Sequence, residues 1–353
     1  MKTVIIAASG TGGHIYPAIS IGEEFRENNF NVVLFISKNP ISLEIVKNTT
    51  FDYYAFKMSG FPKIMSFNLV KFFFQTSISF FKALRKIADL TPSAVIGTGG
   101  YIELPVFFAA KILRKKVFIH EQNSIPGKAN KFLSRLADKI FLSFSFSSKF
   151  FDVKKANVCG YPIRKSIFSV GKPEALKYLN LDDKFTILVF GGSLGSTKLN
   201  EIALQAFSKI SKDNDLQILH VTGQKDFDSI SMKVGLNRRY KVFKYMHNMG
   251  AAYAISSVVI CRSGAGAVFE IKALKKNAVL IPYPYACDNH QFYNAKEIEK
   301  PGEVVVIEEK YLSEQLLTET VFNLKKAESS KLSQRQDLSQ KTIVEEIIKC
   351  LKY

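Results

Sequence analysis

Several patterns that would place the chain in a common class are missing from its 353 residues. The four cysteines are far apart and form no C-x-x-C pair, so there is no zinc-site spacing and no disulfide framework, and a reducing compartment fits. No run reaches the ~18 uninterrupted apolar residues of a transmembrane helix. The apolar residues 4–8 are too few for a secretory signal and lead into a glycine-rich turn, so we expect a first strand there.

The fingerprints of common nucleotide sites are also missing. Glycine-rich segments at 9–13 and 191–195 follow predicted strands, but neither has the order G-x-G-x-x-G, and the chain contains no G-K-[ST]. The usual dinucleotide and P-loop sites are therefore excluded.

Acidic residues are scarce: 31 Asp and Glu stand against 49 Lys and Arg, which gives a net charge of +18. Such a chain should attract an anionic partner, for example a phosphorylated substrate or an anionic membrane surface. No basic block interleaved with aromatics resembles a nucleic-acid module, so a nucleic-acid partner is not expected.

The order of the predicted elements is typical of an α/β protein. Short apolar strands alternate with helical patterns such as 17–28 and 104–113, which predicts parallel sheets with helices on both faces. The predicted strands are 3–8, 32–36, 93–97, 117–120, 139–142, 185–190, 216–221, 240–244, 257–261, 278–282 and 303–306. Each half opens with a strand that leads into glycine. We therefore expect two Rossmann-like domains, 1–162 and 163–353, with a ligand cleft between them and a helical tail from about residue 327.

The stretch 257–294 has the features of a nucleoside-diphosphate site. An apolar strand ends at a turn with two glycines, and a helix is predicted to start there, where backbone N–H groups can bind phosphate. Glu270 is well placed on this helix to accept bonds from ribose hydroxyls. A second strand is followed by the polar segment 288–291, at the edge where open α/β sheets bind ligands. The alternative is an ordinary βαβ unit with a solvated loop.

Three polar or glycine-rich loops of the first half should meet at one edge of its sheet. His14 follows two glycines and could act as a general base, although a hydrogen-bonded histidine at a helix start is the alternative. The polar residues 120–123 end one predicted strand, and the glycine-rich residues 97–101 end another.

Residues 63–86, from Lys63 to Lys86, combine aromatics with basic residues. Apolar residues at 67, 70, 74, 78, 81 and 84 form one helical stripe, and Phe72, Phe73 and Phe80 lie off it. A single stripe facing the core would not need those extra aromatics. An interfacial helix that meets anionic lipid explains both sets, and a buried helix followed by a loop is the alternative.

Together these blocks resemble the MurG glycosyltransferase family over nearly the whole chain. The resemblance is carried by residues 10–14 with Pro17, 97–101, 120–123, 160–164, 191–195, 261–265 with Glu270, and Gln291 with 294–295. Members transfer N-acetylglucosamine from UDP-N-acetylglucosamine to undecaprenyl-pyrophosphoryl-muramoyl-pentapeptide, which converts lipid I to lipid II. The resemblance implies a GT-B fold of two Rossmann-like domains, with the donor held mainly by the second.

The resemblance also implies roles for single residues. Arg164 and the Met246 backbone would contact uracil, Glu270 the ribose, and His290 and Gln291 the donor sugar. The diphosphate would be held by Ser193 and by the helix start at Ala265, Gly266, Ala267, Val268 and Phe269. The acceptor side and transfer site would be lined by Thr11, Gly12, Gly13, His14 and Asn123. Residues 63–86 would form the membrane-facing patch of a peripheral protein at the cytoplasmic face of the cell membrane, with other cell-wall enzymes as possible partners.

At some positions the sequence departs from the family pattern. Ser9 stands where glycine is usual, Leu194 where glutamine is usual, and Ala267 where a hydroxyl residue is usual. His290 replaces a glutamine that some members have. These departures concern individual donor contacts and not the activity as a whole.

An inverting transfer follows from the resemblance. His14 would act as general base on the acceptor C4 hydroxyl, and Asn123 would position the acceptor. A helix N-terminus, Ser193 and basic residues would stabilise the departing diphosphate, so neither a metal nor another cofactor is expected. The domains should close around the UDP-sugar. The alternatives are a UDP-sugar:diacylglycerol glycosyltransferase, a non-catalytic UDP-sugar-binding protein and a sugar-nucleotide epimerase.

Overall fold

A computed structural model describes residues 1–10, 12–58, 60, 67–192, 195–208, 216–326 and 339–351 of the chain. These residues form two compact units. The first contains residues 1–164 and the C-terminal helix, and the second begins at Lys165.

The first unit is built on a parallel sheet. Its described strands are β1 Thr3–Ala8, β2 Asn31–Ser37, β3 Asp52–Phe56, β4 Ala94–Gly97, β5 Lys116–Glu121, β6 Lys139–Leu142 and β7 Ala156–Val158. They are arranged in the order β3-β2-β1-β4-β5-β6-β7, and every pair is parallel. The strand order reverses between β1 and β4, which is where open α/β sheets bind ligands.

The second unit repeats this plan. Its described strands are β8 Phe185–Phe190, β9 Leu216–Val221, β10 Tyr240–Phe243, β11 Val258–Cys261, β12 Asn277–Leu280 and β13 Val304–Val306. They form a parallel sheet in the order β10-β9-β8-β11-β12-β13. The prediction of an α/β protein with two Rossmann-like domains is confirmed.

Helices flank both sheets. The described α-helices are α1 Gly12–Glu27, α2 Pro40–Lys47, α3 Phe67–Leu90, α4 Glu103–Ile112, α5 Lys128–Leu133, α6 Lys172–Leu179, α7 Thr197–Ser208, α8 Phe227–Val234, α9 Met249–Ile255, α10 Ala265–Ala273, α11 His290–Lys296, α12 Glu314–Lys326 and α13 Ser339–Cys350. Short 3-10 helices lie at Ser145–Phe150, Lys165–Ile167, Cys287–Asn289 and Glu309–Tyr311.

Strand β1 contributes to hydrophobic cores on both faces of the first sheet. Val4 and Ile6 are buried in one core, which also contains residues of α1. Ile5 and Ala7 are buried in the other core, against residues of α3 and α4. Successive side chains of a strand point to opposite faces, so a strand covered by helices on both sides is apolar throughout.

The C-terminal helix α13 packs on the first unit. Ile343, Val344 and Ile347 are buried in the core that contains α1. A 2.8 Å ion pair joins Lys139 of β6 to Glu346, and this hydrogen bond raises the pKa of Lys139. The structure therefore differs from the sequence-based division, which placed the helical tail in the second domain. An amphipathic pattern shows that a helix has an apolar face, but not which sheet that face covers.

Candidate functional site

In the first unit, three loops meet where β1, β4 and β5 end. The Ser9 N–H donates to the Gly99 carbonyl at 3.0 Å, which joins the loops after β1 and β4. Gly99 and Gly100 have φ angles of +112° and +103°, a region that L side chains rarely adopt. A Cβ on Gly99 would also collide with the His14 ring. Glycine at this position therefore allows the histidine to lie directly against the loop.

His14 lies in the first turn of α1 and is half-buried. Its Nδ1 is 2.9 Å from the Thr98 carbonyl oxygen and 3.2 Å from Gln122 Oε1. The Thr98 hydroxyl donates to the His14 carbonyl at 2.9 Å. Burial lowers the pKa of His14, while its bonds to Thr98 and Gln122 act in the opposite direction. A lowered pKa keeps the imidazole neutral at pH 7, which is the form that can accept a proton.

Gln122 and His120 lie behind His14. Gln122 Nε2 donates to the Thr98 carbonyl, to the His120 carbonyl at 3.1 Å, and to His120 Nδ1 at 3.2 Å. His120 Nε2 faces Ser143 Oγ at 3.1 Å and the Gly160 carbonyl at 3.4 Å. Burial lowers the pKa of His120 to about 4, so it is neutral at pH 7.

The loop that carries Asn123 is organised by the buried carboxyl of Glu121. Its Oε1 accepts from the Asn123 N–H at 2.9 Å and from Asn123 Nδ2 at 3.4 Å. Its Oε2 accepts from the Gly127 N–H at 3.1 Å and from Asn130 Nδ2 at 2.8 Å. Asn123 therefore lies on a loop that is fixed at both ends, beside the loop that supports His14.

Glu103 is a second buried carboxyl near this edge. Its Oε1 accepts a hydrogen bond from the Gly99 N–H, on the loop against which His14 packs. Burial raises the pKa of Glu103 well above its usual range, and the Gly99 bond opposes this shift. Burial therefore favours the neutral acid form of Glu103 behind the loop that packs on His14.

In the second unit, α10 begins directly after β11. Its N-cap is Gly264, which supplies no side-chain bond, and its first residues are Ala265, Gly266 and Ala267. The first N–H groups of a helix have no acceptor within the helix, and the helix dipole favours an anion there. Alanine and glycine place no large side chain over these donors. Val268 and Phe269 are buried and anchor the helix on its sheet.

Glu270 lies one turn further along α10 and is buried. Its Oε2 accepts a 2.9 Å hydrogen bond from the hydroxyl of Tyr253 on α9. Tyr253 is fully buried, so the orientation of the carboxyl is fixed by a rigid neighbour. The residue expected to bind the ribose and the helix start expected to bind phosphate thus lie on one short helix.

Arg262, at the end of β11, joins the loops around this helix start. Its Nη2 donates to Ser196 Oγ at 2.6 Å and pairs with Glu309, and its Nη1 donates to the carbonyls of Ile281 and Pro282 at 3.2 Å. The guanidinium is buried. Arg262 belongs to the block 261–265 that carries the family resemblance, but no role was predicted for it from the sequence. The available signal was a charged residue directly after an apolar strand.

Gln291 connects α11 to the same loops. Its Oε1 accepts from the Tyr283 N–H at 3.0 Å, and its carbonyl accepts from the Ser263 hydroxyl at 2.8 Å. His290 begins α11, with Nδ1 2.9 Å from the Cys287 carbonyl oxygen. Gln291 therefore lies next to the loop that precedes α10. His290 is the preceding residue of α11.

The other predicted site residues are distributed over both units. Gly12 is buried at the start of α1, and Gly13 beside it is exposed. Arg164 ends the first unit, with its guanidinium 3.8 Å from the centre of the Tyr16 ring. Met246 is buried in the second unit. Thr11, Ser193 and Leu194 lie outside the described residues.

The membrane-facing prediction corresponds to α3, apart from residues 63–66, which lie outside the described residues. The exposed apolar face of α3 consists of Val70, Phe73, Phe74, Ile78 and Phe81, with exposures of 64%, 56%, 66%, 40% and 66%. Phe72, by contrast, is only 3% exposed, and Phe80 packs against the core. The predicted stripe thus faces outward at 70, 74, 78 and 81, whereas its member Leu84 packs against the core. Two of the three off-stripe aromatics pack inward. Periodicity identifies a face but not its direction.

Apolar exposure continues on α4 and on α5, which packs on α4. Helix α4 packs on α3, and Phe108 and Ile112 of α4 are exposed, as is Phe132 of α5. The Phe108 and Phe132 rings are 6.3 Å apart. Of the helices in the described part of the chain, none combines the length and hydropathy needed to cross a membrane.

Two Asp-x-Asp triplets, a pattern that other glycosyltransferases use to bind metal ions, occur at 213–215 and 226–228. The first lies outside the described residues. In the second, Asp226 Oδ1 accepts from the Thr197 hydroxyl at 3.1 Å and Oδ2 accepts from Asn200 Nδ2 at 2.8 Å. Both oxygens of Asp226 therefore fix the start of α7.

Comparisons with known proteins agree with this arrangement. The model of the glycosyltransferase family 28 N-terminal domain matches residues 4–142, and that of the family 28 C-terminal domain matches residues 186–351. A relative from Halothermothrix orenii is 35% identical over 91% of this chain and 90% of its own length. One from Syntrophus aciditrophicus is 39% identical over 91% and 89%. Both are named UDP-N-acetylglucosamine–N-acetylmuramyl-(pentapeptide) pyrophosphoryl-undecaprenol N-acetylglucosamine transferase.

Solved structures show the same architecture. The crystal structure of Acinetobacter baumannii MurG has a TM-score of 0.71 at 25% identity and covers 99% of this chain and 100% of its own. The UDP complex of S. aureus MnaA has a TM-score of 0.69 at 15% identity and covers 100% and 97%, which shows a shared fold.

Proposed function

We propose that this chain, which belongs to the MurG family within glycosyltransferase family 28, transfers N-acetylglucosamine from UDP-N-acetylglucosamine to the C4 hydroxyl of undecaprenyl-pyrophosphoryl-N-acetylmuramyl-pentapeptide. The observation that carries this proposal is the match to relatives of that name over about nine tenths of both chains. The product is lipid II, the lipid-linked disaccharide of peptidoglycan synthesis.

The second unit supplies the donor site in this proposal. The start of α10, with Ala265, Gly266 and Ala267, offers backbone donors to the diphosphate, and Glu270 accepts from the ribose hydroxyls. Gln291 and His290 contact the donor sugar. Ser193 assists at the diphosphate, and Arg164 and the Met246 backbone contact the uracil.

The first unit supplies the general base. His14 is neutral because burial lowers its pKa, so it can take the proton of the acceptor C4 hydroxyl. Asn123, on the loop fixed by Glu121, orients the acceptor, and Thr11, Gly12 and Gly13 line the acceptor side. A base of this kind typically contributes ~10²–10⁴-fold to the rate.

The transfer is a single displacement with inversion. The C4 oxygen forms a bond to the anomeric carbon of N-acetylglucosamine as its proton passes to His14. The bond from that carbon to the β-phosphate oxygen breaks, and its electron pair leaves with UDP. The charge that develops on the diphosphate is stabilised by the dipole and N–H groups at the start of α10.

Membrane association is part of the proposal because the acceptor carries a polyprenyl chain. The exposed apolar face of α3 lies beside exposed Lys71, Lys82 and Arg85. Aromatic side chains can enter the boundary of the bilayer while the basic residues meet anionic headgroups. The protein would then bind peripherally at the cytoplasmic face of the cell membrane, where UDP-N-acetylglucosamine is available.

A transfer assay tests the proposed activity. Labelled UDP-N-acetylglucosamine is offered to a short-chain lipid I analogue, with diacylglycerol as a parallel acceptor. We expect the wild-type protein to label the lipid I analogue only. The Glu270→Ala variant should lose this labelling, and Glu314→Ala, a control at an exposed position of α12, should retain it. Label on diacylglycerol would instead assign the protein to the lipid-glycosylating transferases. Binding of UDP-sugar without transfer would favour a non-catalytic binding protein, and a changed free sugar nucleotide would favour an epimerase.

A further inference from the structure

The environment of His14 determines which of its ring nitrogens carries the proton. Nδ1 faces two oxygens, the Thr98 carbonyl at 2.9 Å and Gln122 Oε1 at 3.2 Å. A carbonyl oxygen only accepts hydrogen bonds, so Nδ1 must donate to it. In the neutral ring, the lone pair that can accept a proton is then on Nε2.

The orientation of the Gln122 amide is itself fixed by its neighbours. Its Nε2 faces three acceptors, namely the Thr98 carbonyl, the His120 carbonyl and His120 Nδ1. His120 Nδ1 can accept because the opposite nitrogen, Nε2, faces Ser143 Oγ and the Gly160 carbonyl. With the amide nitrogen committed to these acceptors, Oε1 is the atom presented to His14. The contacts thus form one consistent chain from Gly160 to His14.

We propose that Gln122 is a positioning residue that, together with the Thr98 carbonyl, holds His14 in its Nδ1–H tautomer and so makes Nε2 the basic nitrogen of the transfer site. This inference rests on the proposed role of His14. Gln122 does not touch the reacting atoms in this account. It acts through the histidine, because the wrong tautomer would direct an N–H bond at the acceptor hydroxyl in place of a lone pair.

Among the groups around His14, Gln122 is the position at which a change of charge would act most directly on the pKa of His14. His120 and Glu121 lie at the end of β5, and Glu103 lies at the start of α4 behind Gly99. The next titratable side chain along α1 is Tyr16, whose ring is covered by Arg164. Burial raises the pKa of both Glu103 and Glu121 and lowers that of His120. A carboxylate at position 122 would be in direct contact with His14 Nδ1 and would favour the imidazolium.

The first test is a direct reading of the tautomer in the full chain. With ¹⁵N-labelled histidine, two-bond ¹H–¹⁵N spectra distinguish Nδ1–H from Nε2–H, and the His14 signals are those lost in His14→Gln. We expect neutral His14 to be Nδ1–H at pH 7.5. Observation of Nε2–H would overturn the inference. This reading does not depend on transfer, so it stands or falls separately from the proposed activity.

The second test moves the pKa of His14. In Gln122→Glu we expect the acid limb of kcat/KM, and the NMR titration of His14, to shift to higher pH by about one unit. The sign follows because the carboxylate stabilises the protonated ring, so the basic form is lost at a higher pH. Asn48→Asp, which adds the same charge at the exposed end of α2, should leave both unchanged. A folded Gln122→Glu protein with an unshifted His14 titration would overturn the inference.

Full activity of His14→Ala would overturn the proposed role of His14 as base. The NMR result would then decide the role of Gln122.

Discussion

At the scale of single residues, the carboxyl group of Glu270 depends on a partner from another helix. Tyr253 on α9 donates its hydroxyl proton to Glu270 Oε2 at 2.9 Å, and both side chains are buried. A hydrogen bond to a charged group contributes about 1.5–3 kcal/mol, and its loss would weaken the hold on the carboxyl that is proposed to bind the ribose. In the proposed donor site, Tyr253 would support binding without contacting the donor.

Replacing this tyrosine tests the support directly. In Tyr253→Phe, only the hydroxyl is lost, so we expect the Kd for UDP to rise about tenfold or more, since 1.4 kcal/mol corresponds to a factor of ten. Isothermal titration calorimetry with UDP measures this change. Tyr178→Phe, at an exposed position of α6, is the matched control. An unchanged Kd in Tyr253→Phe would show that Glu270 does not need this hydrogen bond.

From the sequence, the positions of the candidate site residues relative to strands and helices could be predicted, but their hydrogen-bond partners could not. His14 lies at a helix start, Asn123 just after a strand, and Glu270 in the second turn of a helix that follows a strand, as their positions in the chain indicated. Their hydrogen-bond partners could not be predicted in the same way. His14 and Gln122 are 108 positions apart, and only the pairing of β1, β4 and β5 in one sheet brings them together. Spacing along a chain contains no information about such contacts.

At the scale of elements, α13 completes the first unit although it follows the second in the chain. Ile347 is fully buried against α1 and the first sheet, so its truncation leaves a cavity in that core. We expect Ile347→Ala to lower the free energy of unfolding by about 2–5 kcal/mol, measured by urea denaturation. Glu345→Ala, at an exposed position of the same helix, should change it little. Equal stability of the two variants would mean that α13 does not support the first unit.

The exposed apolar face of α3 gives a second prediction at this scale. Phe73, Phe74 and Phe81 should enter the lipid boundary, where full burial of a phenylalanine is worth about 1.5–3 kcal/mol. Changing all three to serine should weaken sedimentation with phosphatidylglycerol vesicles at least tenfold while leaving transfer to a water-soluble acceptor intact.

The matched control for this experiment replaces exposed apolar residues of the second unit, Met232 and Leu236, with serine. It removes exposed apolar side chains from the other unit. Vesicle binding by wild-type protein should also fall as salt is raised, because the basic residues contribute through screened charges. Undiminished binding by the triple α3 variant would contradict the assignment of this face to the membrane.

The two strands that the sequence did not predict, β3 and β7, are the edge strands of the first sheet. β3 has exposed Asp52 and partly exposed tyrosines, and β7 has only three residues, with Asn157 and Val158 exposed. An edge strand is covered less than a central one, so it lacks the continuous apolar run by which the central strands were recognised. The central strands were predicted within one or two residues of their observed ends.

At the scale of the whole molecule, the two units have the same strand plan but different chemistry at their sheet edges. The first presents a neutral histidine supported by a buried polar chain. The second presents a helix start with small residues and a buried glutamate. The repeated pattern of strand, glycine turn and helix predicted this plan from the sequence. It could not predict that the chain returns to the first unit at α13.

The central claim is that the first unit performs proton transfer and the second holds the donor. The most direct test compares kcat with donor affinity in His14→Ala. We predict that kcat falls ~10²–10⁴-fold while the Kd for UDP stays within about twofold of wild type. Glu270→Ala should weaken UDP binding. If His14→Ala instead retains kcat, or loses activity only through weaker UDP binding, this division of roles between the two units is wrong.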